Sequence, residues 1–198
     1  MHTLKLILRP LLGLLTLAAI GSQLLIHVRL GANVVNFFSY FTNLSNLIAA
    51  AVLLLTTKRQ QKAGRFDRLR AFSTVNMVVV GIVFSLLLRN VELGALQPWV
   101  NFVLHYLMPC AVLLDWLLDP PSTRLGTRDL ILFLIFPAAY LAYSLLRGAQ
   151  MDWYPYPFLN PDHIGGYGGV VGYSVGITVS FLLVGWAVLA VGNRRQRN

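Results

Sequence analysis

Long apolar runs separated by short polar segments dominate the pattern of this chain. A helix needs about 20 apolar residues to cross the roughly 30 Å of hydrocarbon in a bilayer. Six runs approach or reach that length, and we expect a transmembrane helix at each: residues 10–28, 36–57, 71–88, 99–118, 130–146 and 169–192. The segments between them are too short for a soluble domain. The pattern therefore predicts an all-α fold: a polytopic integral membrane protein whose residues 1–198 form a single bundle of six transmembrane helices.

The composition agrees with a lipid environment. Of the 198 residues, 57% are hydrophobic and only 12% are charged, whereas about a quarter of the residues in a soluble domain are charged. The mean hydropathy is +0.66. These values exclude a soluble globular enzyme and a disordered chain, and the single cysteine excludes an intrachain disulfide scaffold.

The basic residues are distributed unevenly between alternate loops. Thirteen of the sixteen Lys and Arg lie in the N-terminal segment, the second and fourth loops and the C-terminal tail, whereas Arg29, Arg89 and Arg147 lie on the opposite side. Because cytoplasmic loops are enriched in Lys and Arg, both termini are predicted to be cytoplasmic in a protein of the cell membrane. The same distribution accounts for the net charge of +9 without nucleic acid, which we do not expect as a partner.

Polar residues are concentrated at one end of the second predicted span. Asn36, Ser39, Asn43 and Asn46 recur at intervals of three and four residues, so they fall on one stripe of a continuous helix. Thr42 lies at the edge of that stripe. Polar side chains inside a membrane cost free energy unless they pair or line a cavity, which makes these residues functional candidates.

The fourth predicted span carries a second polar group. Asn101 and His105 are four residues apart and share a helix face, and Asp115 follows ten residues later. Thr42 lies six residues inside the second span and His105 six residues inside the fourth, on the same predicted side of the membrane. Both are therefore at a depth of about 9 Å, and they meet if the two spans are neighbours.

Two interpretations of this constellation remain open. A threonine hydroxyl is a weak nucleophile that an adjacent histidine can activate as a base, and Asn43, Asn46 or Asn101, together with Ser39, can support a developing oxyanion. Alternatively, polar side chains of this kind hold transmembrane helices together without any chemistry.

The longest loop on the same side, residues 147–168, adds aromatic and titratable side chains. Trp and Tyr are common anchors at the membrane interface, but Tyr156 and His163 are also accessory site candidates, as is Asp115 of the fourth span. The sequence contains no motif for a zinc site, a phosphate-binding loop or a dinucleotide. We therefore expect neither a metal nor any other cofactor.

The last predicted span has small residues at every fourth position, namely Gly168, Gly172, Gly176 and Ser180. Such spacing allows two helices to approach closely and predicts a packing seam. The stretch also matches the G-x-S-x-G pattern around Ser174, but that nucleophile motif needs a strained turn between a strand and a helix. In an uninterrupted helix we do not expect Ser174 to be a nucleophile.

Three segments resemble the androgen-induced gene family of six-span membrane proteins, which includes the androgen-dependent regulator of tissue factor pathway inhibitor, and the chain looks like a bacterial member. Phe41-Thr42 is similar to the family's threonine segment. His105, followed by Pro109 and Asp115, is similar to its histidine helix. The third segment, which resembles the aromatic loop of the family, contains Trp153, Tyr156-Pro157-Phe158-Leu159 and His163-Ile164-Gly165.

The resemblance implies an activity. Family members studied in animals are threonine hydrolases that cleave fatty acid esters of hydroxy fatty acids and depend on an intramembrane threonine and histidine. For this chain the resemblance implies Thr42 as the nucleophile and His105 as the base of a lipid ester hydrolase. Asn43, Asn46 and the segment Asn160-Pro161-Asp162 depart from the family pattern and bear on the substrate. The alternative is a non-catalytic lipid-binding or transport protein in which the same polar cluster orients a headgroup.

Overall fold

The computed structural model describes residues 2–57, 64–91 and 94–194, and the regular elements within these ranges are all helices. They are α1 (His2–Arg29), α2 (Val34–Phe38), α3 (Phe41–Thr56), α4 (Gly64–Leu88), α5 (Pro98–Leu118), α6 (Thr127–Met151) and α7 (Tyr167–Arg194). Two short 3₁₀ turns, Pro157–Leu159 and Pro161–His163, lie between α6 and α7. Five of the helices (α1, α4, α5, α6 and α7) are long and apolar enough to cross a membrane. The prediction of an all-helical fold is confirmed, and these five helices are compatible with a multi-pass membrane protein.

The second predicted span is two helices rather than one. Ser39 and Tyr40 interrupt it, leaving the five-residue α2 and the sixteen-residue α3. Sixteen residues at 1.5 Å each extend about 24 Å, less than the roughly 30 Å of hydrocarbon. Because the helix is interrupted, the prediction of one continuous polar stripe from Asn36 to Asn46 is wrong, and the four polar residues have different partners.

Side-chain hydrogen bonds stabilise the interruption. A helix that stops leaves its last carbonyl oxygens without a backbone donor. Here Asn43 Nδ2 donates to Phe37 O at the end of α2 (2.8 Å), and the Tyr140 hydroxyl of α6 donates to Ser39 O (2.8 Å). The polar residues that the helical pattern places on one face therefore form hydrogen bonds with the free backbone carbonyls between α2 and α3.

Other helix ends carry common capping residues. Asn33 Oδ1 accepts from Val35 N (2.8 Å) at the start of α2, and Pro98 opens α5, where a backbone N–H would have no helical acceptor. The Gly126 N–H donates to Asp129 in the first turn of α6 (2.8 Å). These residues explain why α2, α5 and α6 begin within three residues of the predicted spans, whereas α1 and α4 begin eight and seven residues earlier than predicted.

The helices α3 and α4 lie at the centre of the bundle. On one side, α3 packs with α1 and α5 around a buried apolar cluster that includes Ala49 and Leu104. On the other side, α4 packs with α6 and α7 around a cluster that includes Val79, Phe133 and Phe181. Since α4 contacts α3, α5 and α7, it is the most buried of the five long helices.

One end of the bundle holds five interacting charged side chains, Lys5, Arg9, Arg70, Asp115 and Asp119. Arg9 donates to Asp115 (2.7 Å) and Asp119 (2.7 Å), and Arg70 donates to Asp115 (3.0 Å). Both guanidinium groups are almost fully buried. We call these five residues the charge cluster and their end of the bundle the basic end. The opposite end, where residues 152–166 pack, is called the aromatic end.

The glycines of α7 do not form the predicted packing seam within the described chain. Near the basic end, a side chain at Gly185 would collide with Leu130, so α7 packs closely there. Toward the aromatic end, an added Cβ at Gly172 or Gly176 would meet no described atom within 4 Å. We infer that α7 diverges from its neighbours toward the aromatic end.

Candidate functional site

A cavity of about 310 Å³ lies near the aromatic end, between α3, α4, α6 and α7. Its walls are mostly apolar, and residues 156–159 of the loop between α6 and α7 cover it on the side of the aromatic end. The polar side chains in its walls are Thr42, Tyr140, Tyr156, Ser174 and Thr178. A mostly apolar space with a few polar groups is the usual form of a small-molecule site.

Helix irregularities occur at the same end of the bundle as this cavity. Wide π-helical turns occur at the end of α4 (Phe84–Leu88) and within α5 (Val103–Leu107), and Pro137 lies inside α6. Turns of this type are rare and are frequent at functional sites. Here the two π turns bring Phe84 against His105, with stacked rings whose centroids are 4.0 Å apart.

Thr42 lies in the first turn of α3, with 7% of its surface exposed. Its backbone N–H has no acceptor within the helix because it belongs to the first turn, and it donates to the Tyr156 hydroxyl (3.2 Å). The Thr42 Oγ1 atom lies 3.3 Å from the same phenol oxygen. The structure therefore gives Thr42 a tyrosine as its partner, and no hydrogen bond joins Thr42 to His105 among the described residues.

Aromatic rings hold Tyr156 beside Thr42. The Tyr156 ring stacks on Phe158 (5.1 Å between centroids) and meets Tyr40 edge-on (5.7 Å). Burial raises the pKa of Tyr156 to about 12, because an apolar environment disfavours the phenolate. Tyr156 is therefore protonated at physiological pH. Since its oxygen accepts from Thr42 N, its proton is available to Thr42 Oγ1 or to a ligand carbonyl.

Asn101, one turn earlier in α5, orients His105. The His105 Nδ1 atom lies 2.7 Å from Asn101 Oδ1 and 3.3 Å from Asn101 O. Because both neighbours are oxygens, Nδ1 carries the proton of the neutral ring and Nε2 is the acceptor. Both hydrogen bonds of the His105 ring to the described residues are made by Nδ1. His105 stacks on Phe84, and neither residue lines the cavity.

Asn46 connects the two helices that carry Thr42 and His105. Its Nδ2 atom donates to Thr42 O (2.9 Å) and to Leu104 O (3.2 Å), and Leu104 directly precedes His105. The two helices are therefore neighbours at this depth. Asn46 Oδ1 is buried and accepts no hydrogen bond from the described part of the chain.

Ser39 and Asn43, predicted as polar support, do not line the cavity. Ser39 Oγ lies 2.9 Å from the Tyr143 hydroxyl, and Arg147 donates to Asn36 Oδ1 (2.6 Å), so both contacts join α2 to α6. Asn43 bonds across the break between α2 and α3. These residues fix the place where α3 begins, and hence the position of Thr42.

Two accessory candidates lie away from the cavity. Asp115 belongs to the charge cluster, ten residues or about 15 Å along α5 from His105. The partly buried Asp115 carboxylate is stable there because the buried Arg9 and Arg70 bind it. His163 is exposed in the second 3₁₀ turn. Asp115 and His163 therefore do not line the cavity, whereas Tyr156 contacts Thr42 directly.

Three polar residues of the cavity wall, Tyr140, Ser174 and Thr178, were not predicted as site residues, and Ser174 was considered only as a nucleophile. Ser174 and Thr178 are one turn apart on α7, and both line the cavity. Thr178 Oγ1 donates to Ser174 O (2.8 Å), while Ser174 Oγ is buried without a partner among the described residues. The signal available in the sequence was their spacing of four in an apolar span, which places them on one helix face.

Comparison of the chain with models of known protein families, with curated proteins and with solved structures gives no match. The resemblance to the androgen-induced gene family therefore rests on the short motifs around Thr42, His105 and the aromatic loop. The geometry of the cavity is the independent basis for a functional proposal.

Proposed function

We propose that this chain is an intramembrane hydrolase of lipid esters, with fatty acid esters of hydroxy fatty acids as the type of substrate. The observation that carries the proposal is the apolar cavity of about 310 Å³, whose wall holds the Thr42 hydroxyl beside the Tyr156 phenol. An apolar wall suits acyl chains, since burial of each CH₂ group contributes about 0.8 kcal/mol. The two hydroxyl groups suit the ester group between those chains.

The proposed reaction has two steps. Thr42 Oγ1 forms a bond to the ester carbonyl carbon while its proton passes to His105 Nε2, and the Tyr156 hydroxyl donates to the developing oxyanion. The bond to the alcohol oxygen then breaks, and the hydroxy fatty acid leaves with the proton from His105. Water, deprotonated by His105, next attacks the acyl-threonine. This second step releases the fatty acid and restores Thr42 with its proton.

The position of His105 defines how the proton travels. Thr42 Oγ1 is hydrogen-bonded to Tyr156, so transfer to His105 passes through one water molecule or follows rotation of the Thr42 side chain. Asn46 is suited to hold that water. It bridges the backbone of the two helices, and its buried Oδ1 accepts no hydrogen bond from the described residues.

We also propose an arrangement in the cell membrane. The apolar α3, although only sixteen residues long, completes a set of six spans with the five long helices. Both termini face the cytoplasm, as the distribution of Lys and Arg favours. In this orientation the charge cluster lies at the cytoplasmic end and the cavity lies near the outer leaflet.

The test uses purified protein in detergent micelles, a branched fatty acid ester and a fluorophosphonate probe. Thr42→Ala is expected to abolish both hydrolysis and labelling, whereas Thr42→Ser keeps a hydroxyl and retains labelling. Ser174→Ala removes another hydroxyl of the same cavity wall, so it is the matched control and leaves labelling unchanged. Labelling that persists in Thr42→Ala refutes the assignment of the nucleophile.

His105 is tested by the same hydrolysis assay. Loss of a general base lowers kcat by about 10²- to 10⁴-fold, so His105→Ala is expected to fall in that range while the unfolding temperature shows that the variant folds. Unchanged turnover in His105→Ala contradicts its assignment as the base.

The second candidate function is non-catalytic binding or transport of a lipid. One observation favours it, because Thr42 is hydrogen-bonded to Tyr156 rather than to a base, as in a site that holds a polar headgroup. Co-purification of a lipid without turnover, and unchanged lipid binding in His105→Ala, select this function over hydrolysis.

A further inference from the structure

A second apolar depression runs along the outside of the bundle between α4 and α7, with a volume of about 530 Å³. We call it the α4–α7 groove. Its walls include Ile82, Leu86 and Leu87 of α4 and Gly172, Tyr173 and Gly176 of α7. Gly172 and Gly176 are the positions where an added Cβ meets no described atom within 4 Å. The groove is therefore the space that opens where α7 diverges from its neighbours.

The α4–α7 groove adjoins the cavity that contains Thr42. Val83 and Ile177 line both spaces, and both side chains are only partly buried. No charged residue of the described ranges lines either space. Val83 and Ile177 thus form the boundary between the cavity and the α4–α7 groove.

The side of the cavity toward the aromatic end is built differently. Tyr156, Phe158 and Leu159 lie there as a buried aromatic cover. Phe158 also packs against Tyr173 at the rim of the groove (6.0 Å between ring centroids). A ligand from the aqueous phase at this end has to displace the cover, whereas a ligand that lies in the groove has to pass only Val83 and Ile177.

We propose that the α4–α7 groove is the lateral portal through which one acyl chain of a membrane lipid ester enters the Thr42 cavity, with Val83 and Ile177 as its gate. The occupant is an acyl chain because the groove lies along two membrane-spanning helices and has apolar walls. It follows α7 from Gly169 to Ser180, about 16 Å at 1.5 Å per residue, a length suited to an extended chain. This inference rests on the proposed function, since it assigns a lipid ester to the cavity.

The experiment is photo-crosslinking of the full chain in phosphatidylcholine vesicles, with a fatty acid that carries a diazirine in the middle of its chain. Mass spectrometry locates the crosslinks. In the unmodified chain we expect crosslinks to Leu86 and Leu87 in the groove and to Leu141 and the buried Val79 in the cavity. Excess branched fatty acid ester is expected to compete for them, and hydrolysis is not needed for any of these signals.

Gly176→Trp tests the route, because the groove has room for a side chain there and an indole fills it. We expect the crosslinks in the cavity to decrease by about tenfold or more, equivalent to about 1.4 kcal/mol. Val175→Trp is the matched control, since Val175 is exposed and does not line the groove. Its cavity crosslinks are expected to equal those of the unmodified chain.

Three results overturn the portal. The first is cavity labelling in Gly176→Trp that equals that of the unmodified chain. The second is equal labelling of the groove residues and of Val175, because it indicates contact with bulk lipid only. The third is a crosslink between two copies of the chain through the groove, which assigns it to helix association. Failure of the hydrolase proposal gives a different result. In that case the cavity crosslinks still decrease in Gly176→Trp, but the unmodified chain does not cleave the ester.

Discussion

Asp115 provides a sharp test of the structure, because the sequence pattern made it an accessory site candidate and the structure places it in the charge cluster. Asp115 accepts from Arg9 Nε (2.7 Å) and Nη2 (3.0 Å) and from Arg70 Nη2 (3.0 Å). The side chains of Arg9 and Arg70 are only 4% and 3% exposed. Asp115→Asn therefore leaves two buried guanidinium groups with one fewer anion.

Removing one partner of a buried ion pair costs about 3–5 kcal/mol. We expect about 3 kcal/mol here, since Asp119 still accepts from Arg9. For a chain of this size that loss lowers the unfolding temperature by about 6–12 °C. The matched control is Arg68→Gln, which breaks the Arg68–Asp129 pair (2.8 Å); the arginine side chain is 60% exposed, and Asp129, itself 9% exposed, keeps its hydrogen bond from the Gly126 N–H. The expected cost of that change is about 0–1 kcal/mol.

The assay is unfolding in detergent micelles, followed by tryptophan fluorescence, with ester hydrolysis measured per folded molecule at a temperature where both variants are folded. Asp115→Asn is expected to unfold earlier and to keep its turnover, because the charge cluster lies at the opposite end from the cavity. Lost turnover with an unchanged unfolding temperature refutes this reasoning and returns Asp115 to the site. Equal destabilisation by Arg68→Gln refutes the argument from burial.

Two further predictions concern Tyr156 and Asp119. Tyr156→Phe removes the hydroxyl that contacts Thr42, so we expect kcat to decrease by about 10²- to 10³-fold at a stability cost of about 1 kcal/mol; unchanged kcat contradicts its role as oxyanion donor. For Asp119, burial raises the pKa, but hydrogen bonds and charges of Lys5, Arg70 and Arg9 outweigh burial and lower the pKa from 3.8 to about 2. The depressed folded-state pKa stabilises the fold above pH 4, and this contribution is lost as the pH falls to 2. Unfolding midpoints measured across that range are expected to decrease less in Asp119→Asn, and identical slopes contradict the prediction.

The helices were predictable because apolar periodicity and length suffice to define them. The limits of α5 (Pro98–Leu118) and α7 (Tyr167–Arg194) lie within two residues of the predicted spans. The interruption at Ser39 and Tyr40 was not predictable from the same pattern. The polar residues around Ser39 are compatible both with a continuous helix that has one polar face and with a break between two helices. Which structure forms depends on whether Tyr140 of a distant helix can reach the Ser39 carbonyl.

The candidate site was predictable only in part. Scarcity of polar residues in apolar spans drew attention to Thr42 and His105, and both are buried near the aromatic end, on neighbouring helices. Their immediate partners, Tyr156 and Asn101, differ in how far the sequence predicts them. Asn101 is one helical turn from His105 and follows from spacing, whereas Tyr156 approaches Thr42 across 114 residues.

The sequence by itself determined that the chain is helical and suited to a membrane, because local apolar content and the 3.6-residue period need no knowledge of distant contacts. It also determined which few polar side chains have to be explained. Only the tertiary structure decided their partners: Asp115 with buried arginines, Thr42 with Tyr156, and the glycines of α7 with an open groove. The physical reason is that a buried polar group is stable only beside a complementary group, and that neighbour is selected by the packing of helices far apart in the chain.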